Sequence, residues 1–225
     1  MTIARSLRPS DVLSLAWAYR LWSTLVGAER VRTAYANEYV RAPALSRVLD
    51  IGCGPGDILR YLPSGITYEG YDVSASYIEA ARKEFGARGR FERASVDDLA
   101  ARAWQAQFDV VLATGVLHHL ADHEAAALFD IAGAALTPGG RLVTMDPCFR
   151  QGQHWFARAL LERDRGRFVR DREGYARLAS RTFERVRIDL REDLAFVPYT
   201  YIIMECAQHR VGRAAPAATN ERRRA

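Results

Sequence analysis

Short apolar runs alternate with segments of helical periodicity through most of the chain. Five of the runs have the length and residue types of strands. They are residues 48–51, 66–73, 90–99 (a strand with its turn), 108–114 and 141–145. Apolar residues recur at helical spacing between them, in residues 75–84 and 125–136, and two further β-rich runs follow at 183–190 and 200–207. The continuous apolar run at 108–114 is typical of a strand in a parallel sheet.

The first run leads into a glycine-rich turn. Gly52, Gly54 and Gly56 follow Val48–Ile51, and the apolar spacing after them predicts a helix. Glycine tolerates positive φ and lets backbone N–H groups approach a polar ligand. A dinucleotide-binding turn has its last glycine where this chain has Asp57, and an acid there would repel a pyrophosphate. The turn therefore predicts a nucleotide-like ligand that carries an ammonium group, or else it only connects strand to helix.

The stretch VLDIGCGPGD, at residues 48–57, resembles motif I of the class I S-adenosylmethionine-dependent methyltransferases of the small-molecule type. Weaker likenesses follow at the turn VLHHL and at LTPGG, so that the resemblance covers residues 45–207. It implies an α/β, Rossmann-like, doubly wound fold with a mostly parallel seven-stranded sheet and an antiparallel C-terminal strand. The implied cofactor is S-adenosyl-L-methionine, with S-adenosyl-L-homocysteine as product, and no metal is expected.

The resemblance also implies which residues contact the cofactor. They follow the first four strands: Asp50, Gly52, Cys53, Gly54, Gly56, Asp72, Val73, Ser95, Val96, Thr114 and Gly115. Asp72 ends the second strand, where an acid can accept hydrogen bonds from both ribose hydroxyls. Alternatively, Asp72 caps the following helix, a role that Ser74 could fill instead. Ser95 stands where the family has an acid, and Asp97 and Asp98 are displaced from that position, which leaves the acidic contact to adenine open.

Candidate catalytic residues follow the fourth and fifth strands, at the edge where open α/β sheets bind their ligands. His118 and His119 follow the fourth strand, and either could take a proton from a hydroxyl or amine nucleophile. Asp146 follows the fifth strand as a second candidate base or substrate anchor. In the alternative interpretation, the histidines cap or pack the next helix and Asp146 caps the next turn. Because a sulfonium is already an activated leaving group, positioning alone could also suffice.

The chain divides into an N-terminal helical extension, a cofactor-binding domain and a basic flexible tail, at residues 1–44, 45–207 and 208–225. The extension either packs against the sheet or forms a lid that brings Tyr19, Trp22 and Tyr35 to the cofactor. Residues 149–181 alternate arginines with acids. They predict either a substrate cover or a solvated pair of charged helices.

Composition narrows the function classes. With 225 residues, 49% of them hydrophobic and 26% charged, the chain has the profile of a globular protein. Most of its net charge of +5 comes from arginines after residue 209, so no basic face for nucleic acid is implied. The three cysteines are far apart and predict neither a disulfide framework nor a zinc site. The early apolar run at residues 12–19 is too short to span a bilayer, and we expect a cytoplasmic enzyme without membrane partners.

The predicted function is methyl transfer from S-adenosylmethionine to a small-molecule substrate, with O-, N- or C-methylation undecided. A nicotinamide-dependent enzyme is disfavoured by Asp57. A methyltransferase acting on nucleic acid or tRNA is expected to carry an Asn/Asp-Pro-Pro-aromatic segment after the fourth strand, where this chain has Thr114–Leu117. The other alternative is a catalytically silent module that binds S-adenosylmethionine.

Overall fold

The computed structural model describes residues 27–163 and 166–209. Its strands are β1 (Arg47–Ile51), β2 (Thr67–Asp72), β3 (Gly89–Arg93), β4 (Phe108–Thr114), β5 (Leu136–Phe149), β6 (Arg170–Asp171), β7 (Phe183–Arg191) and β8 (Tyr201–His209). Its α-helices are α1 (Ala28–Ala34), α2 (Ala75–Phe85), α3 (Val96–Ala100), α4 (Asp122–Ala135), α5 (Trp155–Glu162) and α6 (Arg172–Thr182). A π-helix (Tyr35–Val40) continues α1, and 3-10 turns cover Asp57–Arg60 and Leu117–His119. Outside the described residues lie 1–26, with the expected lid residues Tyr19 and Trp22, and 210–225, most of the expected tail.

The sheet has the strand order β3-β2-β1-β4-β5-β8-β7, and the short β6 pairs with β5 off this path. Strands β1 to β5 pair in parallel, whereas β8 runs antiparallel to both β5 and β7. This confirms the Rossmann-like α/β fold. The two-residue strand β6 is the addition that brings the described sheet to eight strands. The chain winds outward in both directions from β1 and β4, and the crevice between two such strands is where doubly wound sheets bind their ligands.

Strands β1 and β4 form the centre of the core. Val48, Leu49, Val110, Val111 and Leu112 have no exposed surface. Apolar residues of α3, α4 and α6 pack on one face of the sheet, and those of α1 and α2 pack on the other. Because helices cover both faces, apolar residues follow one another in the central strands rather than alternating with polar ones. The loops at the carboxyl ends of these strands therefore rest on a rigid base.

One sequence prediction about the glycine turn is wrong. The helix expected directly after it is only the 3-10 turn Asp57–Arg60. Pro63 disfavours the helical conformation for Leu62, the residue before it, and so limits the length of any helix here. The Arg88 guanidinium donates hydrogen bonds to the carbonyls of Leu59 at 2.6 Å and Leu62 at 3.1 Å, which satisfies acceptors that a longer helix would have paired. The helices expected at residues 75–84 and 125–136 are confirmed as α2 and α4 with slightly shifted ends.

The described part of the N-terminal region is helical, as expected, and Tyr35 fastens it to the sheet. The Tyr35 hydroxyl donates to the carbonyl of Val143 at 3.0 Å and accepts from the Thr114 hydroxyl at 3.2 Å. Helix α1 is thereby connected to the end of β4. Over the ranges 27–163 and 166–209, every helix is too short or too polar to cross a membrane.

Candidate active site

One cleft collects most of the expected site residues. It has a volume of about 580 Å³ and lies where the loops after β1, β2, β3 and β4 meet. The expected residues that line it are Gly52, Gly54, Asp72, Val73, Ser95, Val96, Thr114, Gly115 and His119. Those that do not line it are Asp50, Cys53, Gly56, His118 and Asp146. The cleft coincides with the β1/β4 crevice predicted by the topology of the sheet.

The glycine loop after β1 curls back onto the end of β2. Its three glycines have φ between +53° and +79°, a region that other residues rarely adopt. The N–H groups of Gly52 and Cys53 donate to the carbonyl of Tyr71 at 2.7 and 3.0 Å. A Cβ added to Gly52 would lie 2.1 Å from Val116 Cγ2, whereas one added to Gly54 would meet no protein atom within 4 Å. Gly54 therefore borders open space in the cleft.

Asp72 ties this loop to the end of β2. Its Oδ2 accepts from the Gly54 N–H at 3.0 Å, and its Oδ1 accepts from the Ser74 N–H at 2.8 Å. The cap of α2 is Ser74, whose Oγ accepts from the Tyr77 N–H at 3.4 Å, so the interpretation of Asp72 as this cap is wrong. An ionised carboxylate has about four acceptor positions, which leaves Asp72 with about two for a ligand.

Ser95 belongs to a capping box at the start of α3. Its hydroxyl donates to Asp98 Oδ2 at 2.8 Å, and its Oγ accepts from the Asp98 N–H at 3.1 Å. The hydrogen bonds from Ser95 lower the pKa of Asp98, whose carboxylate is thus engaged in the cap. Asp97, the other displaced acid, lines the cleft. Of the two acids that the sequence left open, Asp97 is the one placed to meet a ligand.

Three residues expected to contact the cofactor do not line the cleft. Asp50 is buried at the end of β1 and accepts a hydrogen bond from the Tyr68 hydroxyl at 2.6 Å, and burial raises its pKa to about 7. The Cys53 thiol is buried, and burial raises its pKa. Gly56 precedes the 3-10 turn and packs near Phe91. Because the loop curls over the strand ends, part of it must face the core rather than the cleft.

The two adjacent histidines have different surroundings. His118 is buried, and its Nδ1 lies 2.8 Å from Asp146 Oδ1, which also accepts the His118 backbone N–H at 3.2 Å. Asp146 is buried as well, and burial raises its pKa. His119 is exposed and lines the cleft, with its ring centroid 4.0 Å from that of His118. Of the three candidate catalytic residues, His119 is thus the one at the cleft, and His118 and Asp146 form a pair behind it.

Known proteins with similar sequences carry methyltransferase domains. A family described as a methyltransferase domain matches residues 49–142. The trans-aconitate 2-methyltransferase of Paracidovorax citrulli is 35% identical over 129 residues, which are 55% of this chain and 48% of that protein. The ubiquinone biosynthesis O-methyltransferase of Xanthomonas axonopodis pv. citri is 34% identical over 112 residues, covering 47% of this chain and 46% of that protein. The chain spans about half the length of these curated relatives.

Solved structures share the fold. The S-adenosylmethionine-dependent methyltransferase SibL, in its apo form, aligns with a TM-score of 0.66 at 19% identity, over 90% of this chain and 60% of that one. A phosphoethanolamine N-methyltransferase of Haemonchus contortus, in complex with S-adenosylhomocysteine, aligns with a TM-score of 0.63 at 16% identity, over 79% of this chain and 52% of that one. These matches support a class I S-adenosylmethionine-dependent methyltransferase domain at residues 49–142, and the solved structures show its fold.

The cleft is acidic. Asp57, Asp72, Asp97 and Glu124 line it, and Arg32 is the only lysine or arginine among the described lining residues. Such a surface repels phosphates and attracts a ligand with excess positive charge. S-adenosylmethionine carries an ammonium, a sulfonium and one carboxylate, so the residues present fit it. Across the described ranges, no group of three or more His, Cys, Asp or Glu side chains is arranged to hold a metal ion.

Sequence reasoning missed several cleft residues, among them Arg32, Tyr77 and Glu124. A signal existed for Glu124, since an acid in the first turn of a helix caps its N-terminus, and here Glu124 accepts from the Ala121 N–H at 2.7 Å. A signal existed for Tyr77 as well, because it lies in the first turn of α2, shortly after a predicted strand. No comparable signal existed for Arg32. It precedes motif I and reaches the cleft only because α1 packs against the sheet.

Proposed function

We propose that this chain binds S-adenosylmethionine in the 580 Å³ cleft and transfers its methyl group to a small-molecule acceptor. The observation that carries the proposal is the glycine loop with positive φ, held to β2 by Asp72 at the crevice between β1 and β4. The acidic lining of the cleft supports a cationic cofactor over a nicotinamide dinucleotide, whose pyrophosphate this lining would repel.

Each part of the cleft suits one part of this cofactor. Asp72 keeps acceptor positions for ribose hydroxyls, as described for acids that end the second strand of nucleotide-binding units. Val96 and Asp97, at the start of α3, offer an apolar surface and a carboxylate for the adenine ring and its amino group. The loop of Gly52 and Gly54 lines the cleft together with Thr114 and Gly115 and would hold the amino-acid end. When bound, the cofactor supplies a methyl group already activated by a positive sulfonium.

We infer that His119 holds the acceptor and takes its proton. It is the candidate base exposed to the cleft, and an imidazole can accept a proton from a hydroxyl or amine near neutral pH. The ring of His118 packs against that of His119 with a centroid separation of 4.0 Å, and Asp146 fixes His118 through its Nδ1. In this proposal, His118 and Asp146 are positioning residues.

We also propose that residues 149–181 cover the acceptor side of the site. The Phe168 N–H donates to the His118 carbonyl at 2.9 Å, and Arg170 donates to the carbonyls of Leu117 at 2.8 Å and Leu120 at 2.7 Å. A Cβ added to Gly166 would lie 2.1 Å from His118 Cδ2, so the chain passes directly over this ring. The cover is thereby clamped to the turn that carries both histidines.

A small molecule is the best-supported acceptor class. The relatives named above act on trans-aconitate and in ubiquinone biosynthesis, which supports a small molecule without selecting one. An acidic cleft is unsuited to a polyanionic nucleic acid, which proteins bind through basic surfaces. Incubation with labelled S-adenosylmethionine and separate pools of small molecules, tRNA and DNA would test this. We expect label in the small-molecule pool, and transfer to tRNA or DNA instead would refute the acceptor class.

Calorimetric titration of the purified protein with S-adenosylhomocysteine tests the cofactor, with NADH as the comparison ligand. We expect binding in the micromolar range for the first and none for the second. Binding of NADH alone would contradict the proposal. Binding of S-adenosylhomocysteine without transfer to any acceptor pool would instead favour a catalytically silent binding module.

A further inference from the structure

Arg170 binds the backbone on both sides of the two adjacent histidines. Its Nη1 donates to the carbonyl of Leu117 at 2.8 Å, and its Nη2 donates to the carbonyl of Leu120 at 2.7 Å. These two leucines directly flank His118 and His119, and the four residues together are the histidine turn. One side chain therefore fixes both ends of the histidine turn.

The other donors of the Arg170 guanidinium are engaged as well. Its Nε and Nη2 donate to Asp122 Oδ1 at 3.0 and 2.7 Å, and its Nη1 donates to the carbonyl of Phe168 at 3.0 Å. With the two bonds to the turn, these are five hydrogen bonds, and a guanidinium has five N–H groups. The Arg170 side chain is only 10% exposed, and this complete pairing offsets the cost of burying its charge. A lysine, with three donors on one nitrogen, could not reproduce the planar arrangement.

Arg170 also joins the histidine turn to two other parts of the fold. Phe168, in the proposed cover, donates its N–H to the His118 carbonyl and accepts from Arg170, so the cover and the turn are connected twice. The guanidinium carbon of Arg170 lies 5.8 Å from the ring centroid of Tyr175, whose hydroxyl donates to the Pro147 carbonyl in β5 at 3.0 Å. Because Tyr175 is fully buried, Arg170 rests on a ring that is anchored to the central sheet.

The ion pair with Asp122 does not by itself explain this arrangement. The Asp122 side chain is 79% exposed, and exposed pairs contribute little to stability because water screens them. A general base, in contrast, must stay within hydrogen-bond reach of the proton that it takes. A misplacement of about 1 Å can cost about 10²-fold in rate. Asp146 fixes the ring of His118, and Arg170 fixes the backbone from which both histidine rings extend.

We propose that Arg170 is a positioning residue for methyl transfer, which holds the histidine turn so that the His119 ring stays exposed to the cleft. This inference rests on the proposed function. Arg170 does not line the cleft, so it acts through the turn rather than on the cofactor or the acceptor. Because Phe168 is bonded to both Arg170 and the turn, the same arginine sets the position of the cover relative to His119.

The inference predicts that the effect of Arg170 depends on His119. Arg170→Lys keeps the positive charge but loses the planar fork, so kcat should fall about tenfold or more through misplacement of the base. Affinity for S-adenosylhomocysteine should stay at the wild-type value. In the double variant Arg170→Lys/His119→Ala the base is already absent, so kcat should be no lower than in His119→Ala alone. A residue that only supports stability would lower the activity in both backgrounds.

The test is steady-state kinetics with labelled S-adenosylmethionine and the acceptor from the transfer screen, together with calorimetric titration of S-adenosylhomocysteine. It compares the wild-type protein, the two single variants and the double variant. Arg185→Gln is the matched control, because Arg185 is an exposed arginine of β7 that does not line the cleft, and its kcat should equal that of wild type.

Asp122→Ala tests the same anchor at an exposed side chain. It removes the acceptor of two of the five hydrogen bonds and leaves the buried contacts of Arg170 in place. We expect a smaller fall in kcat than in Arg170→Lys, again absent when His119 is alanine. If Arg170→Lys fails to fold, Asp122→Ala decides the test.

Three outcomes would overturn the inference. These are wild-type kcat in Arg170→Lys (or in Asp122→Ala, where it decides), a further fall in the double variant, and a loss of S-adenosylhomocysteine affinity as large as the loss of kcat. Failure of the proposed function is distinguishable, because the wild-type protein itself would then transfer no methyl group, and the inference would fall with it.

Discussion

The Asp72 carboxylate accepts the backbone N–H of Gly54 at 3.0 Å, so one side chain joins the end of β2 to the glycine loop after β1. Two neighbouring loops of the cleft therefore have a common anchor. A change at Asp72 should therefore alter the glycine loop and, under the proposed function, the binding of the cofactor as well.

Replacing Asp72 with alanine should weaken S-adenosylhomocysteine binding by several kcal/mol at most, because a hydrogen bond to a charged acceptor contributes about 1.5–3 kcal/mol. Asp72→Asn, which keeps one oxygen acceptor, should lose less. Calorimetry measures both affinities. Asp130→Asn is the control, since Asp130 accepts from Thr182 away from the cleft. Wild-type affinity in Asp72→Ala would remove Asp72 from the site.

Gly54→Ala should reduce ligand affinity, and its loss of stability should be limited to the strain of the backbone. Gly54 has φ of +53°, and an added Cβ would meet no protein atom, so the methyl group would occupy ligand space. The backbone strain costs about 1–3 kcal/mol. Gly139→Ala is the matched control, with φ of +90° and equally open surroundings outside the cleft. Urea unfolding should show similar losses for both variants, and calorimetry a loss of affinity for Gly54→Ala alone. Unchanged affinity in Gly54→Ala would contradict the placement of the ligand.

Asp50 should make stability depend on pH. Burial raises its pKa from 3.8 to about 7, so in that range the folded state binds more protons than the unfolded state. The free energy of unfolding should therefore fall as pH rises from about 4 to 7, by up to about 1.4 kcal/mol per pH unit. Above pH 7 this contribution should level off. Urea unfolding across this range, in wild type and Asp50→Asn, measures it. An identical slope in both proteins would show that Asp50 is not the group responsible.

His118→Ala should destabilise the fold at neutral pH. The substitution removes the Nδ1 partner of the buried Asp146 carboxylate, and losing one member of a buried pair typically costs about 3–5 kcal/mol. Urea unfolding measures the loss, and His123→Ala, at an exposed position of α4, is the control. A change no larger than that of the control would mean that the pair contributes little to stability.

His119→Ala should lower kcat and leave S-adenosylhomocysteine affinity near wild type. General bases typically contribute about 10²–10⁴ in rate, so we expect a loss of about 100-fold or more with an acceptor that must lose a proton. Steady-state kinetics with the acceptor from the transfer screen, together with calorimetry, separate the two effects. Full activity in His119→Ala would contradict its role as a base. Catalysis would then come from the positioning of cofactor and acceptor alone.

The sequence predicted those cleft residues that lie in contiguous motifs. Gly52, Gly54 and Asp72 could be found from the sequence because a buried strand followed by small or acidic residues constrains the local backbone. The same reasoning predicted Asp50 and Cys53, which are buried and do not line the cleft, because adjacent residues of a curled loop can face either the cleft or the core. The shortened helix at Asp57–Arg60 has a similar origin, since the contacts of Arg88 come from a distant part of the chain.

The amino-acid sequence by itself determined the α/β class, the strands and the glycine turn of this protein, because apolar periodicity and glycine act over a few neighbouring residues. Only the tertiary structure decided which of two adjacent histidines meets the cleft and which pairs with Asp146. It also brought Arg170 to the turn that carries both histidines, from a segment beyond the fifth strand. Such pairs depend on how helices and strands pack in three dimensions, and a linear pattern of residues does not encode that packing locally.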